Sequence, residues 1–218
     1  MDWIEHGSPE KGIPQLNFAV PFAGHTKDYL YDIPYGLLKR PALRHDVPAL
    51  SLAAAPEGPF LAADTKYGFR GADDTLSVTL LRASYDPDPF PELGRHHFNL
   101  YVGAAPEGDL VRAAELLKHP LHAVSTPAHY GHLPTEGSLA AVSGPARLYA
   151  VKNAEEEGLI LRLAGTADGE AQIRFAAALK ACELTDSAEF SGTPLPVEGD
   201  TVNVPVRTGK LVTLRVTL

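Results

Sequence analysis

The chain of 218 residues is long enough for one large domain or two small ones, each with its own hydrophobic core. Its net charge of −8, from 19 Lys and Arg against 27 Asp and Glu, disfavours nucleic acids and anionic membrane surfaces as partners. No apolar run of about 20 residues, no visible signal peptide and a single cysteine, Cys182, argue against a membrane span and an internal disulfide and favour a cytoplasmic location.

Most of the chain alternates apolar and polar residues with a period of two, which is typical of half-buried β-strands. Turn-forming clusters separate these segments, and Gly and Pro number 19 each. The pattern predicts strands at 75–82, 97–103, 147–152, 159–165, 171–179, 201–206 and 211–218. We therefore predict an all-β fold made of antiparallel strands.

One segment, residues 109–119, breaks this pattern because its apolar residues recur at helical spacing, as Leu110 and Leu117 illustrate. Asp109 stands where it could cap a helix, and Pro120 ends the segment. We predict one amphipathic helix of about three turns, packed against a sheet.

The Pro-, His- and Gly-rich stretch 119–137 follows this helix and contains no periodic pattern. We expect it to divide the chain into a large β-sandwich, residues 1–138, and a small C-terminal β-sandwich, residues 139–218.

Residues 81–101 concentrate acidic side chains and two histidines, a set that could bind a metal or act as an acid and a base. Asp86 and Asp88 each precede a proline, which holds the preceding residue in an extended conformation and predicts a loop. His96 and His97 are neighbours on a predicted strand, so at most one of them can join a given site. We interpret the stretch as a structural loop leading into a strand, with ligand contact as the alternative.

His119, His122, His129 and His132 have an HxxH…HxxH spacing, but structural zinc sites usually include cysteine thiolates. We favour a solvated histidine-rich loop over a metal site. Catalytic motifs such as GxSxG, HExxH, the P-loop and GxGxxG are absent, and the position of Cys182 is typical of a small core residue. We therefore expect no catalytic residue, metal ligand or cofactor in this chain.

Several stretches follow one another along the chain as an ordered set of motifs. They are DW (2–3), LNFAVPF (16–22), YDIPYG (31–36), KRP (39–41), ADTKYGF (63–69), TLSV…LYVG (75–103), LLKHPL (116–121), LYAV…QIRF (148–175) and GKLVTLRVTL (209–218). In this order they resemble the C-terminal β region of the α-mannosidases, which form family 38 of the glycoside hydrolases. The motif most specific to the family is LLR…DPDP…GxHxF. One departure from the family pattern is Ala63, which stands where the family has asparagine.

The resemblance implies a large antiparallel sandwich similar to the galactose-mutarotase supersandwich, followed by a small terminal sandwich. Enzymes of this family are retaining glycosidases. The resemblance also implies that their nucleophile and zinc belong to a separate N-terminal catalytic domain, which matches nothing in this chain. The chain would then dock on that domain, shape its active site and support a homo-oligomer, and it would be inactive by itself.

In the family, loops of the large sandwich approach the active-site mouth, so the resemblance makes Asp64, Lys66, Tyr67 and Arg82 the candidate residues for binding a mannose-containing carbohydrate. Lys66, Tyr67 and Arg82 could hydrogen-bond sugar hydroxyls, and the Tyr67 ring could lie against a pyranose. In the alternative interpretation, Tyr67 packs in the core while Lys66 and Arg82 pair with Asp64 or Asp86 in inert surface ion pairs.

Two other functions stay open. A free-standing carbohydrate-binding module would present exposed aromatic rings in a groove, although Trp3 is the single tryptophan. A mutarotase-like enzyme would use a histidine and a glutamate as acid and base, for which His97 and Glu92 are the nominees.

Overall fold

The computed structural model describes the chain in five ranges, 1–56, 58–132, 134–155, 157–190 and 192–218. These residues form two compact units, 1–124 and 125–218. Both units consist almost entirely of antiparallel sheets, which confirms the predicted all-β class. The predicted division at residue 138 falls inside the second unit, shortly before its first strand, and the two-sandwich boundary stays a prediction.

The described residues of the first unit form eleven strands and one helix. In chain order they are β1 (Asp2–Trp3), β2 (Gln15–Pro21), β3 (Asp28–Ile33), β4 (Gly36–Pro41), β5 (Val47–Pro48), β6 (Leu52–Ala54), β7 (Pro59–Ala63), β8 (Gly68–Ala72), β9 (Thr75–Arg82), β10 (Gly94–Arg95), β11 (Leu100–Ala104) and α1 (Glu107–Lys118). A five-stranded sheet has the order β11-β7-β6-β3-β4, a four-stranded sheet has the order β2-β9-β8-β5, and β1 pairs with β10.

The core of this unit lies between its two large sheets. Side chains alternate across β3, so Tyr29 and Tyr31 point into the core with Phe69 of β8, while Leu30 points to the opposite face. On that opposite face Leu30 packs in a second cluster with Leu110 of α1. The inner strands of the five-stranded sheet, β3, β6 and β7, are therefore largely buried on both faces, whereas the edge strands β4 and β11 are more exposed.

The helix confirms the sequence prediction with a shift of its start. It begins at Glu107 with Pro106 at the N-cap, so Asp109 lies in the first helical turn and does not cap it. Its carboxylate still interacts favourably with the helix dipole there. At the other end, the His119 N–H donates to the Glu115 carbonyl at 2.8 Å.

Asp32, at 3% exposure, joins the last turn of α1 to the sheet. Its Oδ1 accepts hydrogen bonds from the backbone N–H groups of Ser51, at 2.8 Å, and Leu52, at 2.7 Å. Its Oδ2 accepts from Ser51 Oγ at 2.7 Å and from Lys118 Nζ at 3.1 Å. A buried carboxylate thus has both an opposite charge and several hydrogen-bond donors.

The described residues of the second unit form nine strands. They are β12 (Ala140–Ser143), β13 (Ala146–Asn153), β14 (Leu159–Gly165), β15 (Gly169–Phe175), β16 (Ala181–Thr185), β17 (Gly192–Pro194), β18 (Val197–Glu198), β19 (Thr201–Val206) and β20 (Leu211–Thr217). The sheet orders are β12-β15-β19-β18 and β13-β14-β20-β16-β17. Alternate residues of both sheets, such as Ile173, Val204 and Leu214, share one core, which makes this unit a sandwich.

Cys182 lies in this core at 2% exposure, as expected for a small core residue. Burial, with a smaller effect of the Glu183 carboxylate, raises the pKa of its thiol to about 11. At pH 8 only about one thiol in a thousand is then ionised, and the thiolate is the reactive form.

We therefore expect native Cys182 to resist a thiol-specific reagent at pH 8 and to react stoichiometrically once the protein is unfolded in guanidinium. Absorbance of the released chromophore measures both reactions. Complete reaction of the native protein at the rate of a small free thiol would contradict this environment.

Among the described residues, no helix has the length and hydropathy needed to cross a membrane.

Candidate functional site

The turn between β7 and β8 carries three of the four residues expected at the site. Asp64 opens the turn, and its Oδ2 accepts a hydrogen bond from Asn99 Nδ2 at 2.7 Å. Its backbone N–H donates to the Asn99 carbonyl at 3.4 Å, and its Oδ1 accepts from Thr65 Oγ1 at 3.2 Å. Asp64 therefore fixes the start of the turn against the segment that leads into β11.

Lys66 places its ammonium group over one aromatic ring. Its Nζ lies 5.2 Å from the centroid of the Phe98 ring, and the His96 ring stacks on Phe98 with a centroid distance of 5.8 Å. A cation over a ring face is attracted to it. Among the described residues no ion pair joins Lys66 to Asp64 or to Asp86, so the alternative pairing is not what holds this ammonium group.

Tyr67 presents its ring to solvent, with 60% of the residue exposed, and does not pack in the core. Its backbone carbonyl accepts a hydrogen bond from the N–H of Ala49 at 3.0 Å, which holds the main chain of the turn. The phenol ring and hydroxyl are both accessible to a ligand.

Arg82 is the last residue of β9 and is exposed. Because β8 and β9 are antiparallel, with Phe69 opposite Val78, the start of β8 and the end of β9 lie at the same end of the four-stranded sheet. Tyr67 and Arg82 therefore share that end. In the described ranges, no hydrogen bond or ion pair joins the Arg82 side chain to the turn.

The acidic and histidine-rich stretch connects β9 to β11 as a loop that contains the short strand β10. Asp88 Oδ1 accepts a hydrogen bond from the Phe90 N–H at 2.9 Å, a contact that only stabilises the loop. The mutarotase-like pair is not assembled, since His96 rather than His97 approaches Glu92, with 3.9 Å between Nδ1 and Oε2.

No group of three or more His, Cys, Asp or Glu side chains in the described ranges is placed to hold a metal ion. The four histidines between residues 119 and 132 are all exposed.

A polar groove that the sequence reasoning missed lies on the outer face of the four-stranded sheet. Its volume is about 510 Å³. The groove is lined by Asn17, Ala19, Arg44, Arg70, Ala72, Asp73, Thr75 and Ser77. Strand alternation explains this lining, because Leu76 and Val78 of β9 point into the core while Thr75 and Ser77 point outward.

Hydrogen bonds join the polar side chains at the floor of this groove. Arg70 Nε donates to Ser77 Oγ at 3.3 Å and lies 3.5 Å from Asp46 Oδ1. With its amide oxygen facing Arg70, Asn17 accepts from Nη2 at 2.7 Å and donates to Thr79 Oγ1 at 3.0 Å. Thr79 Oγ1 donates in turn to Asp46.

Comparison with known proteins identifies relatives of this chain. No protein-family model matches it. The α-mannosidase 2C1 of Mus musculus is 34% identical in an alignment of length 154 that covers 61% of this chain and 14% of the mouse protein. The Homo sapiens α-mannosidase 2C1 is 33% identical in an alignment of length 168 that covers 68% of this chain and 16% of the human protein.

Two solved structures from Enterococcus faecalis share the fold. A protein in glycosyl hydrolase family 38 superimposes with a TM-score of 0.70 at 20% identity, over 92% of this chain and 26% of that protein. An α-mannosidase of strain V583 gives a TM-score of 0.69 at 18% identity, over 92% and 25%. The chain is a homologue of part of the α-mannosidases named 2C1, and it shares its fold with family 38 structures. The expected family resemblance is thereby confirmed, and the chain spans about one sixth or less of the curated relatives it matches.

Proposed function

We propose that this chain is a non-catalytic, C-terminal β region of a retaining α-mannosidase, which docks on a separate catalytic domain and shapes the mouth of its active site. The observation that carries the proposal is how small a part of each related protein this chain covers. Family 38 folds match 92% of this chain but only about a quarter of their own length. The remaining three quarters have room for a catalytic domain outside this chain.

The chemistry of glycoside hydrolysis supports placing catalysis elsewhere. A retaining glycosidase needs two carboxyl groups about 5–5.5 Å apart, one as nucleophile and one as acid and base. The carboxylates of Asp32, Asp46 and Asp64 are each engaged in hydrogen bonds that stabilise the fold. Zinc, which the family resemblance implies, would be held by the catalytic domain, because no described cluster here fits a metal.

The role proposed for the β7–β8 turn is to position sugar. Asp64 fixes the turn, Lys66 offers an ammonium donor over Phe98, and Tyr67 offers an exposed ring and hydroxyl. Arg82, at the same end of the sheet, adds a guanidinium. These groups match the donors and apolar surface that a mannose-containing carbohydrate requires.

We expect the purified chain to show no turnover of an aryl α-mannoside with or without added zinc, because it contributes no nucleophile. Release of the aryl alcohol is followed by absorbance, with a family 38 enzyme as positive control. Turnover that disappears when one carboxylate of this chain is replaced would contradict the proposal.

A homo-oligomeric assembly and a cytoplasmic location belong to the same proposal and stay predictions. Size-exclusion chromatography with light scattering tests the first, and fractionation of the source cells tests the second.

A further inference from the structure

We propose that the polar groove on the outer face of the four-stranded sheet binds a neutral carbohydrate. The groove consists of Asn17, Ala19, Arg44, Arg70, Ala72, Asp73, Thr75 and Ser77. The location is inferred from the groove itself, whereas the carbohydrate class of the ligand also rests on the proposed function.

The shape of the groove depends on two small residues. Ala19 of β2 and Ala72 of β8 lie on the outer face on the two sides of β9, opposite its polar residues Ser77 and Thr75. The short alanine side chains leave the space between Arg70 and Thr75 open. The resulting volume of about 510 Å³ lies within the range of roughly 300–1,000 Å³ that small-molecule sites occupy.

Several contacts hold the polar side chains at the floor of the groove in place. Arg70 is only 29% exposed and Asp46 only 30%, and they lie 3.5 Å apart. Arg70 also contacts Ser77 on the neighbouring strand β9 and Asn17 on β2, the strand beyond β9. An arginine held by partners on several elements presents its remaining N–H donors in a fixed geometry, which lowers the entropy lost on binding.

Charge selects the class of ligand. Two guanidinium groups, Arg44 and Arg70, are matched by two carboxylates, Asp46 and Asp73, with Arg44 Nη2 lying 3.1 Å from Asp73 Oδ1. An anion would meet the carboxylates and a cation would meet the guanidinium groups. A neutral ligand whose groups both donate and accept hydrogen bonds fits this lining, and sugar hydroxyls do both.

The test titrates ¹⁵N-labelled chain with mannose and with an α-linked mannobiose, and follows the amide resonances. We expect saturable shifts at Asn17, Arg70 and Ser77. Two variants probe the groove, Ala19→Leu, which fills it, and Arg70→Met, which removes its central donor. Each is expected to weaken binding at least tenfold, whereas Ala141→Leu, an exposed strand alanine of the second unit, serves as the matched control and leaves it unchanged.

Because an alanine side chain makes no hydrogen bond, Ala19→Leu removes none of the hydrogen-bonding groups of the floor, and it keeps the test valid even where Arg70→Met perturbs the fold. The absence of saturable shifts up to the solubility limit, shifts confined to other residues, or unchanged binding by Ala19→Leu would each overturn the groove proposal. Shifts at Lys66 and Tyr67 alone would overturn it while supporting the proposed function. Saturable shifts at the groove residues, together with a finding that this chain is associated with no mannosidase, would support the groove proposal and contradict the proposed function.

Discussion

Replacing Asp32 with alanine is expected to destabilise the first unit by about 3–5 kcal/mol, the usual loss when one partner of a buried ion pair is removed. The substitution leaves the Ser51 and Leu52 N–H groups and the Lys118 ammonium without their shared acceptor. It also detaches the end of α1 from the sheet, so the apolar contacts of Leu110 weaken too.

The single tryptophan makes this measurable. Trp3 belongs to the first unit and packs against its core, so its fluorescence during urea unfolding reports that unit. Asp28→Ala is the matched control on the same strand, because Asp28 pairs with Lys39 at 3.5 Å but both side chains are largely exposed. We expect a change of about 0–1 kcal/mol there. Equal unfolding midpoints for the two variants would contradict the structural role of Asp32.

Gly71→Ala is the second substitution expected to have a large effect, a loss of about 3 kcal/mol at the upper end of overpacking costs. A Cβ atom at this position of β8 would lie within 3 Å of the ring atoms of Tyr29, which is fully buried between the sheets. Because protein cores are closely packed, accommodating this Cβ atom requires a shift of either Tyr29 or the strand.

Gly36→Ala is the control for this prediction. Gly36 lies on β4, and a Cβ atom there meets nothing within 4 Å. We expect its free energy of unfolding to change by less than about 0.5 kcal/mol. Urea unfolding followed by Trp3 fluorescence compares the two variants, and a Gly71→Ala midpoint equal to that of Gly36→Ala would show that the contact with Tyr29 is not close.

The sequence predicts an element well where the spacing of its apolar residues matches the spacing of its buried positions. The prediction at 75–82 coincides with β9, because the strand consists of a strong run of alternating and β-branched residues. The stretch 28–41, which forms β3 and β4, has no such alternation because β3 is buried on both faces. The predicted strand 171–179 ends in the structure at Phe175, since the alanines that follow extend the apolar run without extending the sheet.

The site was only partly accessible from sequence. The resemblance nominated Lys66 and Tyr67, but their surroundings depend on Phe98 and Asn99, which reach the turn through the pairing of β11 with β7. The local pattern of either strand does not reveal that the two strands pair with each other. The groove depends equally on register, because its residues become neighbours only once β2 and β8 lie on either side of β9.

The central claim, that this chain is the non-catalytic part of an α-mannosidase, is tested most directly by immunodepletion. An antibody raised against the purified chain is used to deplete an extract of the source cells, and aryl α-mannosidase activity is measured in the supernatant and on the beads. We predict that the activity leaves the supernatant with the chain and is recovered on the beads, whether the catalytic domain is on the same polypeptide or in a complex. Complete removal of the chain with all α-mannosidase activity left in the supernatant would contradict the account.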